Sequence, residues 1–272
     1  MIRIRSGAVE AVLAPSRGAR LVSLRYDGIE VLGGAEPEPG DHPGFYDGAF
    51  PMAPFAGRLP RGEVPTPGGT RTMPSSHADG HVDHGLVHSC RWDLVERAQD
   101  RVTLSTSLDE TWPFGGRVEL EAIATANALR VRLRYEPTAP SSPAVLGLHP
   151  WFRRRLDPTG APVEVRLDAR GWLDAEGRIT GEAPPAPRDA VAVGLLADPV
   201  LRWPGLQLRV TCASAGAWIV CETFDDAVCV EPLTGAPASL GPPVAEPGRP
   251  IELDTSFAFA PWGRGASEEE QS

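Results

Sequence analysis

The sequence predicts an all-β protein, a large antiparallel β-sandwich, and three observations support this fold class. Short apolar runs recur throughout the 272 residues. Turn-forming residues separate these runs, since the chain contains 29 glycines and 29 prolines. Several runs alternate apolar and polar residues with the period of two that turns one face of a strand toward a core. Such a pattern is typical of strands joined by many turns and not of long helices.

The chain predicts one domain followed by a tail. All-β sandwiches of this length often form a single unit, so we expect one domain over residues 1–262. Residues 263–272 are polar and acidic. We expect them to form a disordered tail, because they offer almost no apolar surface to bury.

The amino-terminal part of the chain predicts four strands and a hairpin. Asp27-Gly28 is a strong hairpin turn between two apolar runs. Residues 33–49 are rich in glycine, proline and acidic residues and predict a loop. We expect the strands at residues 2–5, 8–13, 19–26 and 29–32.

Residues 50–59 form an apolar segment that ends close to an arginine, Arg58. Pro51, Pro54 and Gly57 argue against a helix or a central strand. Two interpretations remain open. The segment is either a packed loop with a solvated arginine, or a stiff loop that places a guanidinium over a polar ligand, whose oxygens its donors suit.

Four histidines occur within residues 77–88, which raises the question of a metal site. On a strand, His84 and His88 would lie on one face and His81 on the other. No triplet of ligands with clean geometry follows from this spacing. We therefore favour an exposed loop and predict no metal.

The rest of the chain predicts further strands. Residues 129–135 alternate most cleanly, with three arginines facing outward, and we interpret that row as a solvated sheet face. Residues 170–187 are rich in turn formers and predict no strand. The other strands are expected at residues 91–96, 101–108, 117–124, 163–168, 206–212, 218–222, 227–230 and 251–260.

Composition excludes several classes of function. The net charge of −10 argues against nucleic acid or an anionic membrane as a partner. No apolar run is long enough to cross a membrane, and the amino end lacks the features of a signal peptide. None of the four cysteines forms a CxxC pair, and Cys221 and Cys229 lie in apolar runs typical of buried thiols. We expect a reduced, cytoplasmic protein without a disulfide.

Two stretches combine apolar runs with polar side chains suited to catalysis. In residues 145–152 a run ends at His149, a proline follows, and then Trp151 and Phe152. In residues 227–235 a run ends at Glu231, again before a proline. We expect both side chains at strand ends, where one histidine and one carboxylate would make an acid and base pair. Alternatively, either strand simply ends in a polar residue.

Four motifs together resemble the aldose 1-epimerases, or galactose mutarotases. The motifs are Gly57-Arg58, His84-Gly85, the Gly-Leu-His-Pro-Trp-Phe run at 147–152 and the Glu-Pro-Leu-Thr-Gly run at 231–235. The resemblance extends over most of the chain. It implies a large antiparallel β-sandwich of the galactose mutarotase type, whose concave face binds the sugar.

The resemblance also implies roles for individual residues. Glu231 would be the general base, His149 the general acid, and His84 a second histidine near the anomeric end of the sugar. Arg58 would bind substrate, and Asp198 is the nearest match to an acidic residue that contacts sugar hydroxyls. Apart from the resemblance, Trp151 or Phe152 would offer a flat apolar wall to one face of the sugar, and we choose Trp151 as the candidate. The chain departs from the family pattern at Gly57, where asparagine is common, and at Asp83, where an apolar residue is common.

The implied reaction is interconversion of the α and β anomers of a hexose or related aldose, without a metal or cofactor. Glutamate suits the base because it is normally ionised at pH 7. Histidine suits the acid because its normal pKa lies near neutrality.

Two other functions remain open. Residues 153–155 are three consecutive arginines, which would suit a hexose phosphate. The fold could also serve a catalytically silent sugar-binding protein. The expected partner in each case is a small-molecule sugar, and the expected assembly is a monomer or homodimer.

Overall fold

Strands form nearly all the regular structure of the computed structural model, which describes residues 1–34, 43–75, 80–174, 178–237, 240 and 244–263. Within these ranges the helical segments are three short 3₁₀ turns, at Pro15–Arg17, Pro43–Phe45 and Pro60–Gly62. The all-β prediction is therefore confirmed. His77 and the predicted tail, apart from Gly263, lie outside the described residues. None of the helical segments in the described part of the chain has the length and apolar character needed to cross a membrane.

The described residues contain 25 strands, which we number in chain order. They are β1 (Ile2–Ser6), β2 (Val9–Ala14), β3 (Arg20–Tyr26), β4 (Ile29–Glu30), β5 (Ala49–Met52), β6 (Arg58–Leu59), β7 (Glu63–Thr66), β8 (Gly69–Thr72), β9 (Val82–Asp83), β10 (Asp93–Arg97), β11 (Arg101–Leu108), β12 (Gly116–Ala124), β13 (Ala128–Glu136), β14 (Ser142–Pro143), β15 (Gly147–Arg153), β16 (Glu164–Arg166), β17 (Ala169–Leu173), β18 (Ile179–Thr180), β19 (Asp189–Leu195), β20 (Val200–Trp203), β21 (Gly205–Cys212), β22 (Ala217–Cys221), β23 (Ala227–Leu233), β24 (Val244–Ala245) and β25 (Ile251–Trp262).

Two large antiparallel sheets contain most of these strands. The first sheet has eleven strands in the order β1-β2-β3-β5-β15-β23-β22-β19-β17-β18, with β4 paired to β3. The second sheet has eight strands in the order β10-β11-β12-β13-β25-β21-β20-β16. Three two-stranded pairs, β6–β9, β7–β8 and β14–β24, complete the described structure.

One large apolar cluster contains residues of both sheets. Ile4 and Leu24 of the first sheet belong to it, as do Leu104 and Leu133 of the second. The second sheet alternates buried and exposed positions along β12 and β13, as the period of two predicts. The predicted solvated arginine row forms the outer face of β13, where Arg130, Arg132 and Arg134 make ion pairs with Asp254, Glu121 and Glu252.

The centre of the first sheet is buried on both faces. All four residues of β5 and all seven of β23 are buried, and so are the first six of β15. Even-numbered residues of β15, such as Leu148 and Phe152, join the large cluster. The odd-numbered residues point to the opposite face, where the candidate site lies.

Two of the predictions about strands are wrong. Residues 50–59 were not expected to contribute a central strand, yet β5 lies between β3 and β15. Pro51 is tolerated there because β3 pairs with β5 only at Ala49, so one side of β5 needs no donor at Pro51. The turn-rich segment 170–187 contains most of β17 and all of β18, because long-range pairing overrides the local turn preferences.

Candidate active site

A pocket of about 580 Å³ opens on the face of the first sheet that points away from the apolar core. This volume lies in the range typical of small-molecule sites. The structure brings five of the six predicted site residues to the pocket wall: His149, Glu231, His84, Arg58 and Trp151.

The register of two central strands places His149 beside Glu231. In the ladder between β15 and β23, Gly147 pairs with Leu233 and Trp151 pairs with Cys229. His149 and Glu231 lie midway between these pairs and point to the same face. His149 Nε2 is 3.3 Å from Glu231 Oε1.

The two side chains do not lie at strand ends, as the sequence analysis expected. β15 continues through Pro150 to Arg153, and β23 continues through Pro232 to Leu233. A proline has no N–H to donate, so it interrupts a ladder without having to end the strand. The ladder between β15 and β23 is in fact unpaired at both prolines.

The carboxyl group of Glu231 is buried, and its two oxygens differ in their hydrogen bonding. Its side chain is 3% exposed. Oε1 accepts a hydrogen bond from the Cys229 thiol over 3.0 Å. Oε2 is buried without a hydrogen-bond partner among the described residues. Burial raises the pKa of Glu231 to about 8; the Cys229 hydrogen bond opposes this shift and the charge of Asp189 adds to it.

His149 is a buried imidazole among aromatic and cationic groups. It stacks on Phe50 with ring centroids 4.6 Å apart, and the His84 ring meets it edge-on at 5.2 Å. Burial lowers the pKa of His149 well below 6.5, and the charges of His84 and Arg20 lower it further. The expectation of an ionised glutamate and an ordinary histidine at pH 7 is therefore wrong for the unliganded protein, because neither group is solvated.

Arg58 reaches the pocket from the short pair β6–β9. It is the ladder partner of Asp83, and its Nε lies 3.3 Å from Asp83 Oδ1. Asp83 is 5% exposed, whereas more than half of the Arg58 side chain is exposed. Of the two interpretations of residues 50–59, the geometry favours the one in which the guanidinium stands at a polar site. Asp83, which stands where an apolar residue is common in the family pattern, forms an ion pair with Arg58.

His84 follows β9 in a left-handed conformation, with φ of +57°. Its backbone N–H donates to Gly57 O over 2.9 Å, and its Nδ1 lies 3.0 Å from Met52 Sδ. Such a conformation is costly for a residue with a Cβ and is concentrated at functional sites. It turns the imidazole of His84 toward His149.

Aromatic rings form one wall of the pocket. Trp151 stacks with Tyr46 at 5.8 Å, and Phe224 meets it edge-on at 5.3 Å. The Trp151 indole N–H donates to Phe45 O, which fixes the ring. Phe152 points the other way and contacts Phe257 in the core. Of the two aromatic residues after the His-Pro pair, the described pocket is lined by Trp151.

The structure does not bring Asp198 to the pocket. This residue lies between β19 and β20, half exposed, with its carboxylate 4.0 Å from Arg209. Two acidic side chains line the pocket in addition to Glu231. One is Asp83, and the other is Asp189, the first residue of β19 and the ladder partner of Cys221. Asp189 was not among the predicted site residues because no strand was predicted there, although residues 190–193 alternate alanine and valine.

His149, Cys229 and Glu231 form a compact cluster whose donor atoms lie within 4.8 Å of one another. In composition these residues could ligate zinc. In this geometry, however, the donor atoms face each other at hydrogen-bond distances, and the two imidazole nitrogens face different partners. All four cysteines of the chain are free thiols.

This chain belongs to the aldose 1-epimerases, a family of isomerases, because residues 1–185 match the model of that family. The match covers β1 to β18 and includes Arg58, His84 and His149. No curated protein sequence matches the chain.

Solved structures share the fold at low sequence identity. A candidate aldose 1-epimerase from Escherichia coli K12 has 21% identity and a TM-score of 0.79 over 96% of this chain and 98% of that chain. A galactose mutarotase-like protein from Clostridium acetobutylicum has 14% identity and a TM-score of 0.80, over 96% and 95%. The galactose 1-epimerase from Lactobacillus acidophilus NCFM has 14% identity and a TM-score of 0.74, over 95% and 93%. The predicted sandwich of the galactose mutarotase type is thereby confirmed.

Proposed function

We propose that this protein interconverts the α and β anomers of an unphosphorylated hexose or related aldose. One observation supports the proposal above all. A buried carboxyl group and a buried imidazole lie 3.3 Å apart on the wall of a sugar-sized pocket, and one carboxyl oxygen has no partner among the described residues. A buried polar atom without a partner costs free energy, which a ligand hydroxyl would recover.

The reaction uses Glu231 as the base and His149 as the acid. Glu231 Oε2 takes the proton of the anomeric hydroxyl while His149 Nε2 donates a proton to the ring oxygen. The bond between C1 and the ring oxygen breaks, and C1 becomes the carbonyl carbon of the open-chain aldehyde. Rotation about C1–C2 and closure, with the two roles exchanged, yields the other anomer. Each positioned group contributes about 10²–10⁴-fold to the rate.

The reactive state is a pair that shares one proton. In the unliganded protein the raised pKa of Glu231, about 8, leaves that proton on the carboxyl group at pH 7. A sugar hydroxyl that donates to Oε2 stabilises the carboxylate, and a ring oxygen that accepts from Nε2–H stabilises the imidazolium. Substrate binding therefore favours transfer of the proton to His149.

The remaining lining residues suit hydroxyl groups and a sugar face. Arg58 provides N–H donors and Asp189 provides acceptors on the pocket wall. His84 lies beside His149, close to the anomeric end. The Trp151 ring, fixed by its hydrogen bond to Phe45, offers a flat apolar surface to C–H groups.

Charge favours a free sugar over a hexose phosphate. Arg58 is the arginine on the pocket wall, and it already pairs with Asp83. Asp189 adds negative charge that would repel a phosphate. The arginine run at 153–155, which suggested a phosphate, serves elsewhere: the Nε atoms of Arg153 and Arg154 donate to backbone carbonyls.

Polarimetry tests the proposal. Fresh α-glucose, α-galactose and their 6-phosphates are mixed with the protein, and the approach to anomeric equilibrium is compared with buffer alone. We expect acceleration with at least one free sugar and weaker acceleration with the phosphates. A preference for the phosphates would contradict the substrate class. Sugar binding by calorimetry without acceleration of any anomer would instead identify a silent sugar-binding protein.

The same assay tests whether the chemistry depends on a metal. The acid and base of the proposed reaction are both side chains, so protein treated with EDTA should keep its full rate. A loss that added Zn²⁺ restores would instead assign the cluster of His149, Cys229 and Glu231 to a metal.

A further inference from the structure

Cys229 lies directly beside both members of the acid and base pair. It is fully buried on β23, two residues before Glu231 and therefore on the same face. Its Sγ is 3.0 Å from Glu231 Oε1 and 3.4 Å from His149 Nδ1. The thiol thus contacts Oε1 of Glu231 and Nδ1 of His149, whereas the proposed reacting atoms are Oε2 and Nε2.

The hydrogen atoms of this cluster can be assigned from the contacts. A thiol has one proton, and Cys229 donates it to Glu231 Oε1. Burial and the nearby Glu231 raise the pKa of Cys229 well above 9.0, which keeps the thiol protonated. The sulfur then presents only lone pairs to His149 Nδ1. Two lone pairs facing each other would repel, so Nδ1 carries a proton.

This assignment determines which atoms are available for chemistry. With Nδ1 protonated and facing sulfur, His149 Nε2 is the nitrogen that gains and loses the mobile proton. With Oε1 accepting from the thiol, Glu231 Oε2 is the oxygen left for the sugar. A carboxyl group free to rotate would present either oxygen, and a histidine without a fixed tautomer would present the wrong nitrogen part of the time.

We propose that Cys229 is a positioning residue, which fixes the tautomer of His149 and the orientation of Glu231. The inference rests on the proposed function, since positioning matters only if this pair performs the reaction. A purely structural role is the competing explanation, because Cys229 also packs in an apolar cluster with Trp151 and Ala227. That role would affect stability but not protonation.

Three variants separate the two explanations. Cys229→Ala removes the donor, and Cys229→Ser keeps a donor of similar size. Cys212→Ala is the matched control, because Cys212 is a mostly buried cysteine on β21 of the other sheet. If the cavity left by alanine prevents folding, Cys229→Val fills the space without a donor and replaces it.

The kinetic readout is the anomerisation rate as a function of pH. We expect Cys229→Ala to lower kcat about tenfold, the effect of one lost hydrogen bond, with KM changed less than about twofold. Its alkaline limb should move to higher pH, because the lost hydrogen bond favoured the Glu231 carboxylate. Cys229→Ser should return the limb toward its original position. An alanine variant with the kcat and pH profile of the wild type would overturn the proposal.

A second readout does not depend on turnover. The ¹⁵N NMR spectrum of the His149 ring should report a protonated Nδ1 in the wild type and a mixture of tautomers in Cys229→Ala. An unchanged tautomer would overturn the positioning role even if catalysis is confirmed. If the wild-type protein accelerates no aldose, the proposed function fails on the kinetics, and the spectrum alone decides whether Cys229 sets the tautomer.

Discussion

The two large sheets of this protein are built from the same kinds of strand but differ in what they bury. Strands β12 and β13 of the second sheet alternate buried and more exposed residues, and the charged outer face of β13 is balanced by ion pairs across the ladder. The central strands of the first sheet are buried on both faces and still contain His149 and Glu231. Departures from local rules concentrate at functional sites, so the contrast itself points to the first sheet as the site of chemistry.

Backbone geometry follows the same division. Around the pocket, Pro150 and Pro232 interrupt a ladder and His84 adopts a left-handed conformation. Neither feature stabilises a sheet. The ladder between β12 and β13 in the second sheet pairs eight residues without interruption. Matched substitutions in the two sheets test whether the sheets differ in function.

The largest expected effect is on the acid and base pair of the first sheet. Glu231→Gln keeps the shape but removes the base, and His149→Asn removes the acid. Each change should lower the anomerisation rate by a factor on the order of 10² or more, with little change in sugar affinity, because the other lining groups remain. The measurement is magnetisation-exchange NMR for the rate and calorimetry for binding.

The double variant sharpens this prediction. If the two groups act in one concerted step, Glu231→Gln combined with His149→Asn should cost far less than the product of the single effects. Independent, multiplying losses would show that the groups do not act together. A Glu231→Gln variant as fast as the wild type would exclude the carboxylate as the base.

The second prediction concerns the stability cost of the buried carboxyl group. Its pKa is about 8 in the folded protein against 4.5 normally, so the folded state binds the proton more tightly than the unfolded state does. Stability should therefore fall as pH rises from about 4.5 and should level off above about 8. Glu231→Gln removes this penalty, and we expect it to raise the free energy of unfolding at pH 8 by a few kcal/mol.

Urea unfolding of both proteins across this pH range is the measurement. The advantage of the glutamine variant should shrink as the pH approaches 4.5, where the carboxyl group is protonated in both states. A constant difference at every pH would mean that hydrogen bonding or packing, not ionisation, causes the change.

How much of this was predictable depends on the range of the interactions involved. Alternation within residues 129–135 predicted β13 because a strand facing one core obeys a local rule. No local rule brings His149 opposite Glu231, since they are 82 residues apart and meet only through strand register. Asp189 was missed for the same reason: β19 joins the sheet through β22, and the proline-rich sequence around it concealed the strand.

The motifs nevertheless predicted five of the residues that line the pocket. Short runs that combine an apolar strand with a functional side chain indicated His149, Glu231 and Trp151. The apolar segment 50–59 offered Arg58 as one of two interpretations, and the resemblance added His84. Asp198 was predicted from a single acidic residue in a short segment, and it lies outside the pocket beside Arg209. Its position depends on where the loop between β19 and β20 joins the sheet. The ion pair of Asp83 with Arg58 could not be predicted from the sequence either, because it depends on the β6–β9 ladder.

The third prediction is the pH dependence of the rate. The reactive pair of Glu231 and His149 needs one shared proton. Above about pH 8 Glu231 loses this proton to solvent, and the pair then contains no acid. The value of kcat/KM should therefore fall about tenfold per pH unit on the alkaline side. On the acid side the fall should begin well below 6.5, because burial lowers the pKa of His149. A rate that stays constant up to pH 10 would contradict the shared-proton state.

The fourth prediction separates binding from chemistry at the pocket wall. Arg58→Ala should raise KM about tenfold and lower kcat less, because in the proposed function the guanidinium binds the ground state of the sugar as well as the transition state. Arg61→Ala is the matched control, since Arg61 is an exposed arginine three residues away that pairs with Glu63. Equal effects of the two changes on KM would remove Arg58 from the substrate site.

The smallest expected effect is in the second sheet, where a substitution should leave catalysis unchanged if only the first sheet contributes to it. Arg130 is nearly half exposed and forms a fork of hydrogen bonds to Asp254 on the neighbouring strand. Ion pairs at this exposure contribute about 0–1 kcal/mol, because solvent screens the charges and ordering two long side chains costs entropy. Arg130→Ala should therefore lower the free energy of unfolding by about 1 kcal/mol or less, and anomerisation should keep the wild-type rate and pH profile. Urea unfolding and the polarimetric assay measure the two quantities on the same preparation. A loss of turnover comparable to that of the first-sheet variants would mean that the ion-pair face influences the pocket, and the division of roles between the two sheets would have to be abandoned.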